Sequence, residues 1–335
     1  MFKIKTKIIV NRPIAIIPNL AIHLQTSEER NAGFKINPEE HLMPVFCSSK
    51  YYKSADPEHD IINDDVNGNH RALMELLAKE AKCSIEDIID FDICLMDATP
   101  SSIIGVYDEF ISSPRIDNLL STWACMDALS SHSDHLINGN DIYIAAAFDH
   151  EECGSTSYTG ANSMTLHTWM KRILSSLNIS DNYLPSIIAR SILVSADGAH
   201  GIHPNYSSKH QSEHKVYLHD GIVIKNNANQ RYATTPLTAS MIRTLCSKDG
   251  GHNNNSTIPI QDFVVRNDSP CGSTIGPMMS ANLGIRTIDL GAPQWAMHSC
   301  RETCSVDDAG YLVELCGAIY DNWADIDDSL VEVVE

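Results

Sequence analysis

The chain has 335 residues, 43% apolar and 20% charged, proportions of an ordinary globular protein with room for one large domain or two smaller ones. Its 43 Asp and Glu outweigh 24 Lys and Arg, giving a net charge of -19 with no extended basic stripe, which argues against a nucleic-acid partner. No apolar stretch reaches the length of a bilayer span, and Lys, Asn, Arg and Pro interrupt the start, MFKIKTKIIVNRPIAIIP, so no membrane segment, no secretory leader and a cytoplasmic location are expected.

Residues 13–24, PIAIIPNLAIHL, alternate apolar side chains around prolines and read as an edge strand or extended segment. Residues 25–69 are polar and irregular and read as a long loop. The spacing of Leu73, Leu76, Leu77 and Ala81 predicts a helix over 70–82, and Ser84 with Asp87 spells a capping box for a short helical turn. From about residue 90, strand-like runs at 90–95, 141–148, 191–196, 222–225, 261–265 and 285–290 alternate with helical ones. The predicted helices are 115–131, 160–177, 182–189, 236–247 and 306–323. This alternation predicts an α/β sandwich around a largely buried sheet. HNNNST at 252–257 reads as a polar loop insertion. The ten cysteines contain no CxxC pair; Cys94, Cys125 and Cys316 lie in apolar segments, and most of the ten read as reduced core residues.

The ends of the predicted strands carry the chemistry. In DIYIAAAFDHEECGS an apolar run stops at Phe148 and is followed by Asp149, His150, Glu151 and Glu152. Two adjacent glutamates at the end of a buried strand repel each other and lose hydration. They are tolerable if a cation sits there or if one of them holds a proton, whereas an isolated pair is ordinarily a solvated turn. The run 191–196 ends in Asp197, followed by His200 and His203; 285–290 is followed by GAPQWAMHS with His298; PRIDN places Asp117 at a predicted helix start. Taken singly, Asp117 suits a helix start, Asp197 a turn, and His298 a structural histidine. Together, at strand ends of one α/β domain, Asp, Glu and His form the ligand set of Zn²⁺ or Mn²⁺, with a second carboxylate beside a ligand to move protons.

PRIDN, FDHEECGS, SADGAHGIHPNY, VIKNNANQRYAT, VRNDSPCGSTIGP and LGAPQWAMHS, in that order, resemble the aspartyl aminopeptidase family of co-catalytic zinc peptidases. RPIAIIPNLAIHLQ and YDEFISSPRIDN are similar to it as well, so the resemblance covers essentially the whole chain. It implies a three-layer α/β/α catalytic domain at 96–335 and a smaller, mainly β, oligomerisation domain at 1–95. It implies that Asp117 bridges two Zn²⁺ ions, that Glu152 and His298 complete one site, that Asp197 belongs to the other, and that Glu151 is the general base. Mn²⁺ or Co²⁺ would suit the same ligands. The implied substrate is a peptide with an N-terminal Asp or Glu. Lys225 would meet its side-chain carboxylate, Tyr232 and His200 would line the pocket, and His23 would reach the site of a neighbouring subunit in a homo-oligomer, a dodecamer in the family. The run CGSTIGP would cradle a substrate oxygen with backbone N–H groups, although a tight structural turn reads the same way.

The sequence departs from the family pattern in one main respect. Family members carry a further N-terminal stretch with a His-x-Asp-x-Pro motif, whose histidine shares a metal site with Asp197. HSDH at 132–135 and His59-Asp60 stand in the wrong places to replace it. Both domains are therefore expected to be N-terminally incomplete here, and one ion rather than two is a possible complement. A truncated sequence, a separately encoded segment and a shortened inactive relative whose fold serves assembly all fit. The intact set of remaining site residues favours the first. A smaller departure is Gly198, where the family more often has Met, which would loosen the pocket beside Asp197.

Overall fold

The computed structural model describes residues 9–10, 12–33, 35–55, 65–66, 68–136, 139–247 and 257–329. The chain divides into two compact units, Met1–Ala98 and Thr99–Glu335. His59, Asp60 and residues 252–256 of the polar insertion lie outside the described residues.

In the first unit the extended N-terminal segment makes one antiparallel bridge, Ile16 to Val45. The stretch expected to be a loop carries α1 (Ser27–Ala32), α2 (Pro38–His41), α3 (Ser49–Ala55) and a hairpin of β1 (Asp65–Val66) and β2 (Asn69–His70). Caps rather than apolar periodicity make α1 and α2, which is why the pattern missed them. Thr26 and Glu29 form a reciprocal capping box, and Asn37 accepts the Glu39 N–H just ahead of Pro38. α4 (Arg71–Ala81) follows the predicted spacing, buries Met74, Ala78 and Ala81, and ends on a left-handed Lys82. The Ser84–Asp87 box caps a 3₁₀ turn, Ile85–Asp87, as expected. Residues 90–95 form no strand: Ile93 and Leu95 are exposed, and no strand pairs with them among the described residues.

The second unit contains, in chain order, β3 (Ser102–Ile104), β4 (Phe110–Ser113), α5 (Ile116–Leu136), α6 (Thr165–Ser176), α7 (Leu184–Arg190), β5 (Ile192–Ala196), β6 (Ala199–His200) and β7 (Ile222–Asn226). It continues with α8 (Pro236–Cys246), β8 (Ile260–Val264), α9 (Gly276–Leu283), β9 (Arg286–Gly291), β10 (Pro293–Trp295), β11 (Glu302–Ser305) and α10 (Val306–Ser329). The central sheet has the order β5-β9-β7-β8; β5 runs parallel to β9, β8 parallel to β7, and β7 antiparallel to β9. Side-chain alternation along its strands sorts the layers. Ile222, Ile224, Ile288 and Leu290 face one core with Ala124 and Ala128 of α5, Ile242 and Leu245 of α8, and Leu312 and Leu315 of α10. Leu193 on β5 packs with the core of Leu166 from α6 and Met279 from α9. Helices on both faces of a mixed sheet make this an α/β unit of three layers.

A second sheet, β3-β4-β11-β10-β6, is antiparallel except for β6 beside β10. All of its strands are two to four residues long, too short to show a period in sequence. The pairing of β5 with β9 continues into that of β6 with β10, through N–H bonds from Asp197 to the Leu290 carbonyl and from Ala199 to the Ala292 carbonyl. The run 141–148 does not become a strand. It finds no pairing partner among the described residues, and Ile142 and Ile144 stay exposed. The cysteines also depart from expectation. All ten are free thiols, but only Cys246, Cys304 and Cys316 are buried, while Cys94 is exposed. No helix among the described residues is long and apolar enough to cross a membrane.

Candidate metal centre

Asp197 stands where β5 leaves the central sheet. Its backbone carbonyl lies so close to Gly291 that a Cβ there would sit 1.9 Å from that oxygen. Only glycine permits this approach, which fixes Asp197 against the end of β9. Lys225, on β7, is 3% exposed, and its Nζ lies 3.1 Å from Asp197 Oδ2. The same ammonium sits 5.4 Å over the ring of the buried Tyr232. A buried ammonium needs a counter-ion, and Asp197 provides it.

Asp117, at the start of α5, brings its carboxylate to the same end of the sheet. Asn118 beside it donates to the Ala196 carbonyl at 2.7 Å, tying the start of α5 to β5. Asp117, Glu152 and His298 converge, each offering one ligand atom within 4.8 Å of the others. His298 Nε2 lies 3.2 Å from Asp117 Oδ2 and 3.6 Å from Glu152 Oε2. Burial, then the neighbouring Asp197, Glu152 and Glu302 carboxylates, push the Asp117 pKa up to about 8. Carboxylates crowded in this way call for a cation, and two oxygens with one imidazole nitrogen suit zinc. The residues present therefore fit a metal ion.

Glu151 and Glu152 lie on a 3₁₀ turn, Glu151–Cys153, between a left-handed His150 and a left-handed Gly154. The turn is held from below by the Asp149 N–H on the Thr159 carbonyl and the Ser155 N–H on the His150 carbonyl. Desolvation by neighbouring groups, then the charges of Asp197 and Glu152, raise the Glu151 pKa. Desolvation by its neighbours, then the charge of Lys225, lowers the His200 pKa; its ring meets Phe263 edge-on at 6.0 Å. Burial raises the pKa of the Tyr232 phenol. His23 lies exposed on a turn, Ile22–Leu24, of the first unit.

One expectation about the pocket changes. A Cβ on Gly198 would meet Gln294 Oε1 at 2.7 Å and the Met297 methyl at 3.3 Å, so other side chains already fill the space beside Asp197. The CGSTIGP run is tied down by a buried carboxylate: Thr274 Oγ1 donates to Asp289 Oδ1 at 2.5 Å and accepts from the Gly276 N–H. Asp289 also accepts the Ala233 N–H at 2.6 Å, holding the loop next to Tyr232. Sequence reasoning overlooked Asp289 and Glu302. Asp289 carried a usable signal, a lone acid inside an apolar strand. Glu302 sits in a four-residue strand with no periodicity to betray it.

Residues 2–320 match the family model described as aminopeptidase I zinc metalloprotease (M18). A probable aspartyl aminopeptidase of Ricinus communis is 40% identical, over 96% of this chain and 68% of its own length. A cryo-EM structure of the Ape4 and Nbr1 complex superposes with a TM-score of 0.85 at 37% identity, covering 97% of this chain and 61% of its own. A structure of the S. cerevesiae mApe1 dodecamer gives a TM-score of 0.74 at 25% identity, over 96% and 65%. The chain thus spans 61% to 68% of the length of these relatives.

Proposed function

The chain belongs to the M18 family of zinc metalloproteases, and from that premise we propose that it is a metal-dependent aminopeptidase that removes an N-terminal Asp or Glu from peptides. The observation that carries this reading is the convergence of Asp117, Glu152 and His298, with Glu151 next to Glu152 on the same turn. Asp117, Glu152 and His298 would hold one ion, and Asp117 with Asp197 would begin a second site; Zn²⁺ is favoured, and Mn²⁺ or Co²⁺ suits the same donors. When bound, the metal supplies Lewis acidity and makes water a nucleophile at neutral pH. Glu151 takes a proton from the attacking water and returns it to the leaving amine, a role suited to a carboxylate whose pKa is raised. Lys225 is the buried cation available to an acidic side chain, which would share it with Asp197. Tyr232 and His200 shape the pocket.

Residues 1–95 are proposed as the oligomerisation domain and 96–335 as the catalytic one, with His23 reaching the site of a neighbouring subunit. The relative solved as a dodecamer supports a homo-oligomer. The test is bound metal per subunit for the wild type, Glu152→Ala and Asp197→Ala, with hydrolysis of an Asp-anilide. One tightly held ion, lost in Glu152→Ala and kept in Asp197→Ala, is the expected result for this chain. A folded wild type that binds no metal at all would overturn the proposal.

A further inference from the structure

Glu302 lies in β11, 2% exposed, and both of its oxygens are used. Oε2 accepts the Asp117 N–H at 2.8 Å, and Oε1 accepts the His298 N–H at 2.8 Å. One buried carboxylate thus bridges the backbones of two of the three converging residues, which come from opposite ends of the unit. The His298 loop needs such a hold. His298 has φ +66° and Ala296 φ +58°, left-handed conformations that side chains with a Cβ disfavour. The strand itself is fixed by its register, Glu302 opposite Ser113 on β4, just ahead of α5. Two N–H donors aimed at one side chain require two acceptor oxygens. Gln has one, and its amide would turn a donor toward a donor. A carboxylate here also adds negative charge beside Asp117, which burdens the metal-free centre and favours a cation.

We propose that Glu302 is the positioning residue of the metal centre: it presets the Asp117 and His298 backbones, and its charge favours the ion that those side chains hold. It touches neither ion nor substrate. The inference rests on the metal reading above, and the experiment separates the two. Zinc affinity of the full chain is measured by chelator competition, and Co²⁺ absorption spectra are recorded, for the wild type, Glu302→Gln and Asp308→Asn. Asp308 is the control. It is equally buried and accepts two backbone N–H groups, from His219 and Gly221, but these lie in the turn before β7. Glu302→Gln is expected to weaken zinc about 10- to 100-fold and to shift the Co²⁺ spectrum, the scale seen for groups behind metal ligands. Asp308→Asn is expected to lower the melting temperature with zinc affinity unchanged.

Folded Glu302→Gln with wild-type affinity and spectrum would sink the assignment, as would equal losses in both variants. If Glu302→Gln does not fold, hydrogen exchange on the metal-free wild type decides. Protected Asp117 and His298 amides support the preset backbone, and amides exchanging as in an open loop refute it. A folded wild type that binds no zinc overturns the metal reading itself.

Discussion

Asp197 and Glu152 each follow an apolar run, but the two runs reach different physical states. Residues 192–196 pair with β9 and end at an aspartate pinned by Gly291. Residues 141–148 have comparable apolar character, find no partner strand among the described residues, and lead to an exposed turn that carries Glu151 and Glu152. An apolar run is thus only half of a strand; the other half is a neighbour to receive its N–H and C=O groups. One side of the centre is built into the sheet, and the other is presented to it on a loop.

The sharpest way to break the comparison is to damage the sheet side. Leu290 is fully buried beside Asp289 on β9, and Leu290→Ala is expected to cost about 4 kcal/mol in urea unfolding, the range for large-to-small changes in a packed core. A loss below about 1 kcal/mol would show that this core is not closed. Next comes Gly291→Ala, which forces the Asp197 carbonyl away and is expected to cost about 2 kcal/mol, the scale of overpacking. The same variant should loosen the Lys225–Asp197 pair, visible as a longer contact in a crystal structure.

A smaller effect comes from pH. The metal-free Asp117 pKa stands at about 8, above its unfolded value near 3.8, so the folded protein holds a proton that the unfolded chain lacks between those values. Stability of the metal-free protein therefore falls as pH rises from about 4 to about 8, because the unfolded state binds fewer protons there. Metal binding must expel that proton, so apparent zinc affinity should drop by up to about tenfold per pH unit below pH 8. Calorimetric titrations at pH 6.5 in two buffers of different ionisation heat check it; the same heat in both would contradict proton release. The smallest effect is expected on the loop side. Ile142 is 40% exposed, and Ile142→Ser should change stability by about 0.5 kcal/mol or less. A large loss would reveal a partner for this run.

The long strands and helices of the second unit were legible because their periods extend over whole elements. β5, β7, β8 and β9 lie within a residue or two of their predicted bounds, as do the starts of α5, α8 and α10. The residues now converging at Asp117, Glu152 and His298 could be named from strand-end acids, from a lone histidine, and from resemblance. The short strands β3, β4, β6, β10 and β11 were invisible, since two to four residues carry no period. Glu302 was invisible for a related reason: its partners, Asp117 and His298, meet it only through tertiary pairing. The opposite error came at 90–95 and 141–148, where apolar content was taken for strand without a neighbour to complete it.

The ladder that passes from β5 and β9 into β6 and β10 has a mechanical consequence. Sliding one sheet against the other would break the bonds from Asp197 to Leu290 and from Ala199 to Ala292 together. The corner that carries Asp197 therefore behaves as a stiff bracket common to both sheets. Compliance is left to the turn of Glu151 and Glu152, so any adjustment to ions of different radius would fall on that turn while the bracket keeps its shape.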